Sequence, residues 1–275
     1  MNDSAVGTPA RGFYLFCLAR SSLVPAVAGE GLDGRAPLLS QRFLDIAAVV
    51  TLVSVDDFCG AEAESRMQDL SWIGPRACRH EEVVEGVMGL SPVLPAPFGT
   101  LFSSVTSLEK WLGEHYGAVT EFLDQVGDKQ EWAVKGFLDR ARARDAILST
   151  LLANESESLA SLSPGNRYLQ EQRIRSGAEK ELNGWQKELS RGIANDLQKN
   201  SSDFRERRVL SNKGPDGRGM IWNWAFLVPR GEVREFRLRI ERVNAEYGPR
   251  GLVLEPDGPW PPYSFSPFLE AVPET

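Results

Sequence analysis

The side chains able to do chemistry are few, and their spacing keeps them apart. There are two histidines, His80 and His115, and three cysteines, Cys17, Cys59 and Cys78. Cys78 and His80 are the one such pair close in sequence. Two residues apart on a helix, they point about 200° away from each other, so an imidazole-activated thiolate is not available there. The pattern predicts a surface histidine and a buried thiol, because free cysteine packs as a small hydrophobe. Zinc takes three or four ligands, and no second pair lies near this one, so no metal site is expected. The carboxylate pairs Asp56-Asp57 and Glu81-Glu82 are adjacent in sequence, with nothing to isolate them from water and raise a pKa. They read as solvated or helix-capping groups. "GEGLDG" at 29–34 lacks the Gly-Lys-Ser/Thr ending of a phosphate loop, and "GPDGRG" at 214–219 fits a hairpin turn. The expectation is no catalytic residue, no cofactor and no enzyme.

Composition narrows the alternatives. The chain has 275 residues, 42% hydrophobic and 25% charged, which is globular and long enough for two domains. A net charge of −7 argues against a protein whose work is to neutralise phosphates, so no nucleic acid is expected. An odd set of cysteines without a CxxC pair predicts a reducing cytosol. The first residues show no basic stretch followed by a long apolar run, so no secretory signal is expected. The longest apolar runs, at 13–19 and 46–53, fall well short of the ~20 residues that span a bilayer. A cytoplasmic protein that engages no membrane is predicted.

The elements that must position these side chains follow from periodicity. Short apolar runs at 13–20, 38–42 and 45–53 predict strands, the last one in a sheet centre. Past Asp56-Asp57 the spacing turns helical, with Ala77, Val84, Val87 and Met88 on related turns. That helix is expected to stop near Gly89. "SPVLPAPFGTLF" carries three prolines and reads as an edge strand or extended loop. Thr106 followed by Glu109 has capping-box spacing and opens a helix through Val126. These elements predict an N-terminal mixed α+β domain over 12–127.

From 128 to 275 the order is strand, helix, strand, strand, helix, strand, the ferredoxin-like split βαβ order. Its first strand reads as half-buried, with Trp132 and Val134 alternating with Glu131, Ala133 and Lys135. The stretch 168–199 reads as a long helical arm with one narrow apolar stripe, either packed as a helical hairpin on 137–162 or lying in a partner groove. A hairpin joins 204–211 to 220–229 through "NKGPDGRG". The fold class expected is therefore α+β in two domains, the second ferredoxin-like with a helical arm.

Binding surfaces are the remaining place for function. "GPWPPYSF" at 258–265 puts Trp260 and Tyr263 on a chain stiffened by Pro261 and Pro262, which loses little entropy on docking, and aromatic anchors dominate interface energies. These four residues either fold back onto the second domain or meet a partner. Phe98 and Leu101 of "FGTLF" are the second choice.

The same segments carry a resemblance. "FYLFCLA", "GLDG", "IAAVVTLVSVDDF", "RHEEVVEGVM", "PVLPAPFGTLF", "EWAVKGF", "NWAFLV" and "GPWPPYSF", in this order over 12–265, resemble the gas vesicle protein F/L family. The resemblance implies two α+β domains, the second ferredoxin-like. It also implies a minor structural or accessory role in assembling the protein shells that give some prokaryotes buoyancy. Members are expected in gas vesicles. Their implied partners are the hydrophobic main shell subunit, gas vesicle protein A, which they keep from aggregating during nucleation, and other accessory gas vesicle proteins. Two positions depart from the pattern: Pro97 stands where a basic residue precedes "FGT", and Ala133 where glycine is common in "EWAVK". A rival function from the residues alone is a small-molecule-binding or hydrolytic α+β protein with a cleft between its domains.

Overall fold

A computed structural model describes residues 10–209 and 218–270, with side chains at 61 and 62 left aside. The chain forms two compact units, one built from residues up to Lys129 together with those from Trp260 onward, the other from Gln130–Pro259.

The first unit is built on β1 (Arg11–Arg20) and β3 (Ile46–Ser54), paired antiparallel from Arg11 opposite Ser54 to Arg20 opposite Ile46. β2 (Leu39–Phe43) lies on the far edge of β3, while β4 (Val93–Pro95) and β5 (Leu101–Phe102) both pair with the free edge of β1. The proline-rich segment thus supplies two very short edge strands, which is where proline's missing N–H is tolerated. β1 and β3 are apolar without alternation because they are buried on both faces.

Three helices follow in this unit: α1 (Ala61–Gln68), α2 (Leu70–Met88) and α3 (Val105–Gln125). α2 starts seven residues earlier than the apolar pattern implies. Asp69 caps it by accepting the Ser71 N–H, and Pro75 is carried inside. Asp56 and Asp57 instead sit in a 3-10 turn, where the Arg66 guanidinium donates to the Asp56 carbonyl and the Asp57 carboxylate. The capping box of α3 is also displaced. Ser104 accepts from the Ser107 N–H, and Ser107 Oγ accepts from the Ser104 N–H, so Thr106 is already helical. α2 turns Val83, Val84 and Val87 onto a core that includes Tyr14, Phe16, Val49 and Val93.

The second unit begins with β6 (Lys129–Leu138), then α4 (Arg140–Asn154), α5 (Ser156–Ala160) and α6 (Pro164–Gln198). β7 (Asp203–Glu206), β8 (Gly219–Pro229), α7 (Val233–Tyr247) and β9 (Leu252–Trp260) complete it. The sheet order is β7-β8-β6-β9, the ferredoxin-like order, with β7 and β8 antiparallel from Asp203 opposite Leu227. The turn expected between β7 and β8 lies at 210–217, outside the described residues.

β6 is not half-buried as its alternation suggests. Glu131 is 1% and Ala133 2% exposed, and the Glu131 carboxylate is ion-paired to Arg207. A charge is buried here only because it is paired. α6 runs 35 residues, about 52 Å at 1.5 Å per residue. It packs on α4 as a helical hairpin, with Arg140 of α4 reaching Glu179 and Asn183 of α6. Its buried residues Leu182, Ile193, Ala194 and Leu197 join a core with Trp222, Trp224, Phe226 and Phe236.

Candidate partner-binding surface

The surface candidates from the sequence gather in the first unit, around a histidine. From Trp260 the chain rejoins that unit; Pro261 and Pro262 are buried, and a 3-10 turn, Tyr263–Phe265, follows with Phe265 buried. Trp260 is half-buried at the end of β9. Tyr263 stays 37% exposed while its hydroxyl lies 3.2 Å from His80 Nε2 and donates to Glu81 Oε2 at 3.0 Å. The segment therefore folds back, onto the first unit rather than the second, because α2 offers its hydroxyl polar partners. Further along, Trp111 of α3 donates its indole N–H to the Glu270 carbonyl at 2.7 Å.

His80 overturns the expectation of a surface histidine and buried Cys78. His80 is 3% exposed, while Cys78 and Cys59 are exposed and only Cys17 is buried. The hydrogen bonds fix its tautomer. Tyr263 gives its one proton to Glu81, so it can only accept from His80 Nε2–H. That leaves His80 Nδ1 to accept from the Tyr14 hydroxyl at 2.7 Å, and Tyr14 in turn accepts the Gly99 N–H. The result is one chain of donors from Gly99 through Tyr14, His80 and Tyr263 to Glu81. A neutral imidazole fits it, and burial pushes the His80 pKa from 6.5 down to about 4 against an opposing pull from the Ala96 carbonyl. Burial raises the Tyr14 phenol, and burial together with the Glu81 charge raises that of Tyr263. None of the three titrates near neutrality. The chain of hydrogen bonds holds the segment in place.

Aromatic rings continue this cluster toward the surface. Phe98 lies 5.8 Å from the His80 ring and 5.9 Å from Tyr14, while His80 stacks on Phe16 at 5.5 Å. Phe98 also neighbours Phe58 at 6.3 Å, which meets Trp72 at 5.6 Å. Beyond Phe58 an open groove of about 450 Å³ is lined by Phe58, Gly60, Ala63 and Met67 together with the polar Glu64 and Gln68. Met67 Cε also faces Gly99, where a Cβ would come within 3.3 Å at a φ of +89°. Leu101 is half-buried against the same core. Phe98 and Tyr263 are thus brought together through His80, Leu101 supports them from β5, and Trp260, Pro261 and Pro262 anchor the returning chain. Sequence reasoning missed His80, Phe58 and Met67. The signal for His80 was its place three and four residues before Val83 and Val84, on the buried stripe.

Among the described residues, no three His, Cys, Asp or Glu side chains are placed to hold a metal ion, and no helix is long and apolar enough to cross a membrane. The arrangement defines an α+β protein with a ferredoxin-like second unit and a cluster of half-buried aromatic rings in the first. Its fold is shared by the crystal structure of the gas vesicle protein GvpF from Anabaena sp., with a TM-score of 0.69 and 19% identity over 94% of this chain and 98% of that one. The GvpF structure from Microcystis aeruginosa matches with a TM-score of 0.64, 18% identity and coverage of 94% and 99%.

Sequence relatives agree. Gas vesicle protein L of a Streptomyces species is 26% identical, covering 94% of this chain and 93% of its own length. Gas vesicle protein F of the same genus is 30% identical, with coverage of 92% and 98%. The family model described as gas vesicle synthesis protein GvpL/GvpF matches residues 12–267, and the chain belongs to that family. Its role is accordingly a gas-vesicle one.

Proposed function

We propose that this chain is a non-enzymatic assembly factor and minor structural protein of gas vesicles. In this reading it binds the hydrophobic main shell subunit, gas vesicle protein A, acts alongside other accessory gas vesicle proteins in the cytoplasm, and keeps the shell subunit from aggregating until it enters the vesicle. The observation that carries the reading is the groove lined by Phe58, Ala63 and Met67, continuous with Phe98, in a chain with net charge −7. A subunit with a large apolar face needs apolar cover, and thioether and aromatic side chains adapt to such a face. Like charge on every complex then opposes co-aggregation.

The test is light scattering of the shell subunit as denaturant is diluted away, with and without this chain. Wild type should suppress aggregation and co-elute with the subunit. Met67→Glu, which places a charge at the half-buried groove wall, should weaken both effects at least several-fold while the far-ultraviolet spectrum is kept. No complex with wild type, or undiminished protection by the folded variant, would refute the proposal.

A further inference from the structure

Within the second unit lies a cleft of about 510 Å³, between the outer face of α6 and the edge strand β7. Its α6 wall runs from Asn183 to Gln198, about 22 Å at 1.5 Å per residue. That length matches six or seven residues of extended chain at ~3.3 Å each. Its other side carries Phe204, half-buried, and Trp222, 6% exposed.

The α6 side of this cleft is basic. Lys187 and Arg191 both line it, four residues apart on one helix face, and neither forms an ion pair or hydrogen bond with any described residue. Like charges at that spacing disfavour a helix. Other cations of this unit do have carboxylate partners: Arg239 is held by Asp196 and Asn200, and Arg242 by Glu235. Arg140, at the cleft's end, already has Glu179 as a carboxylate partner, which shows the geometry such a partner takes there. In a protein of net charge −7, two unpaired cations facing one elongated cleft call for acidic groups from outside.

We propose that this cleft docks an extended acidic peptide segment of a partner protein. Lys187 and Arg191 take its carboxylates, and the carboxamides of Asn183 and Asn195 meet its backbone, since each both donates and accepts. Glu206 at the cleft can accept a peptide N–H but offers nothing to a phosphate backbone, which has no donor. The proposal is independent of the shell-subunit reading, which concerns a different surface, and its assay uses no shell subunit.

The experiment is fluorescence anisotropy of a labelled hexaglutamate peptide titrated with the full chain at 50 mM salt. Wild type should bind saturably, and raising salt to 300 mM should weaken binding several-fold. The double variant Lys187→Gln/Arg191→Gln should bind at least tenfold more weakly and melt no lower than wild type, because both side chains are exposed and a repulsion is removed. Lys110→Gln, an exposed cation on α3, should leave binding unchanged. Absence of wild-type binding, equal binding by the double variant, or tighter binding of a hexathymidylate of like charge would each overturn the proposal.

Discussion

His80 makes stability depend on acid. Its pKa lies at about 4 in the folded protein and 6.5 in the unfolded chain, so between those values the unfolded state holds more protons. The stabilisation is therefore complete above pH 6.5, declines as pH falls toward 4, and loses nothing further below. At about 1.4 kcal/mol per pH unit, roughly 3 kcal/mol is at stake. Urea unfolding at pH 7 and pH 4.5 reads it. His80→Gln should cost about 1–3 kcal/mol at pH 7, because Tyr14 loses the acceptor for its proton and Tyr263 the N–H it accepts, yet lose less than wild type on acidification. Equal losses in the two proteins would remove His80 as the cause. The residue was partly legible: the stripe 80, 83, 84, 87 has helical spacing. Its partners were not, because Tyr14 and Tyr263 lie 66 and 183 residues away and no local pattern encodes such a pairing.

At the scale of elements, apolar periodicity located nearly every strand and helix, and the errors arose where two local signals competed. Thr106 with Glu109 and Ser104 with Ser107 have the same spacing, and the cap falls on the serine pair because its hydroxyls satisfy N–H groups in both directions. Ser104→Ala should then cost about 1 kcal/mol in thermal unfolding, whereas Thr106→Ala should cost far less. The misreading of β6 has a different origin. Alternation predicts a wet face, but Glu131 is buried by pairing with Arg207, which sequence spacing does not reveal. The same strand contains a position of steric need. A Cβ on Gly136 would come within 2.6 Å of Trp222 Cε3, and Trp222 is stacked on Trp224 at 4.8 Å, so it has little room to yield. Gly136→Ala should destabilise the second unit by about 1–3 kcal/mol, read from the tryptophan fluorescence transition. A neutral result would mean that the ring moves freely.

Across the whole molecule, the order of elements after residue 128 was legible because each element carries its own local periodicity, and β7-β8-β6-β9 is the sheet that this order makes in a ferredoxin-like unit. The return of the chain to the first unit at Trp260 was not. A run of prolines and aromatics advertises a stiff segment but says nothing about which surface will receive it. That return has an energetic consequence. Ending the chain at Trp260 removes the buried Phe265, the Tyr263 contact with His80 and Glu81, and the bond from Trp111 to the Glu270 carbonyl. One buried phenyl ring is worth about 1.5–3 kcal/mol and each of the three hydrogen bonds about 1, giving roughly 4.5–6 kcal/mol against a stability of about 5–15 for a domain. The loss falls on the first unit alone. Amide exchange in α2 should accelerate about a hundredfold or more in the truncated chain, since each 1.4 kcal/mol is a factor of ten, while β8 and α7 keep their protection. Unchanged protection of α2 would show that the returning segment only rests on the first unit. Uniform loss in α2, β8 and α7 would show that the chain unfolds as a single body.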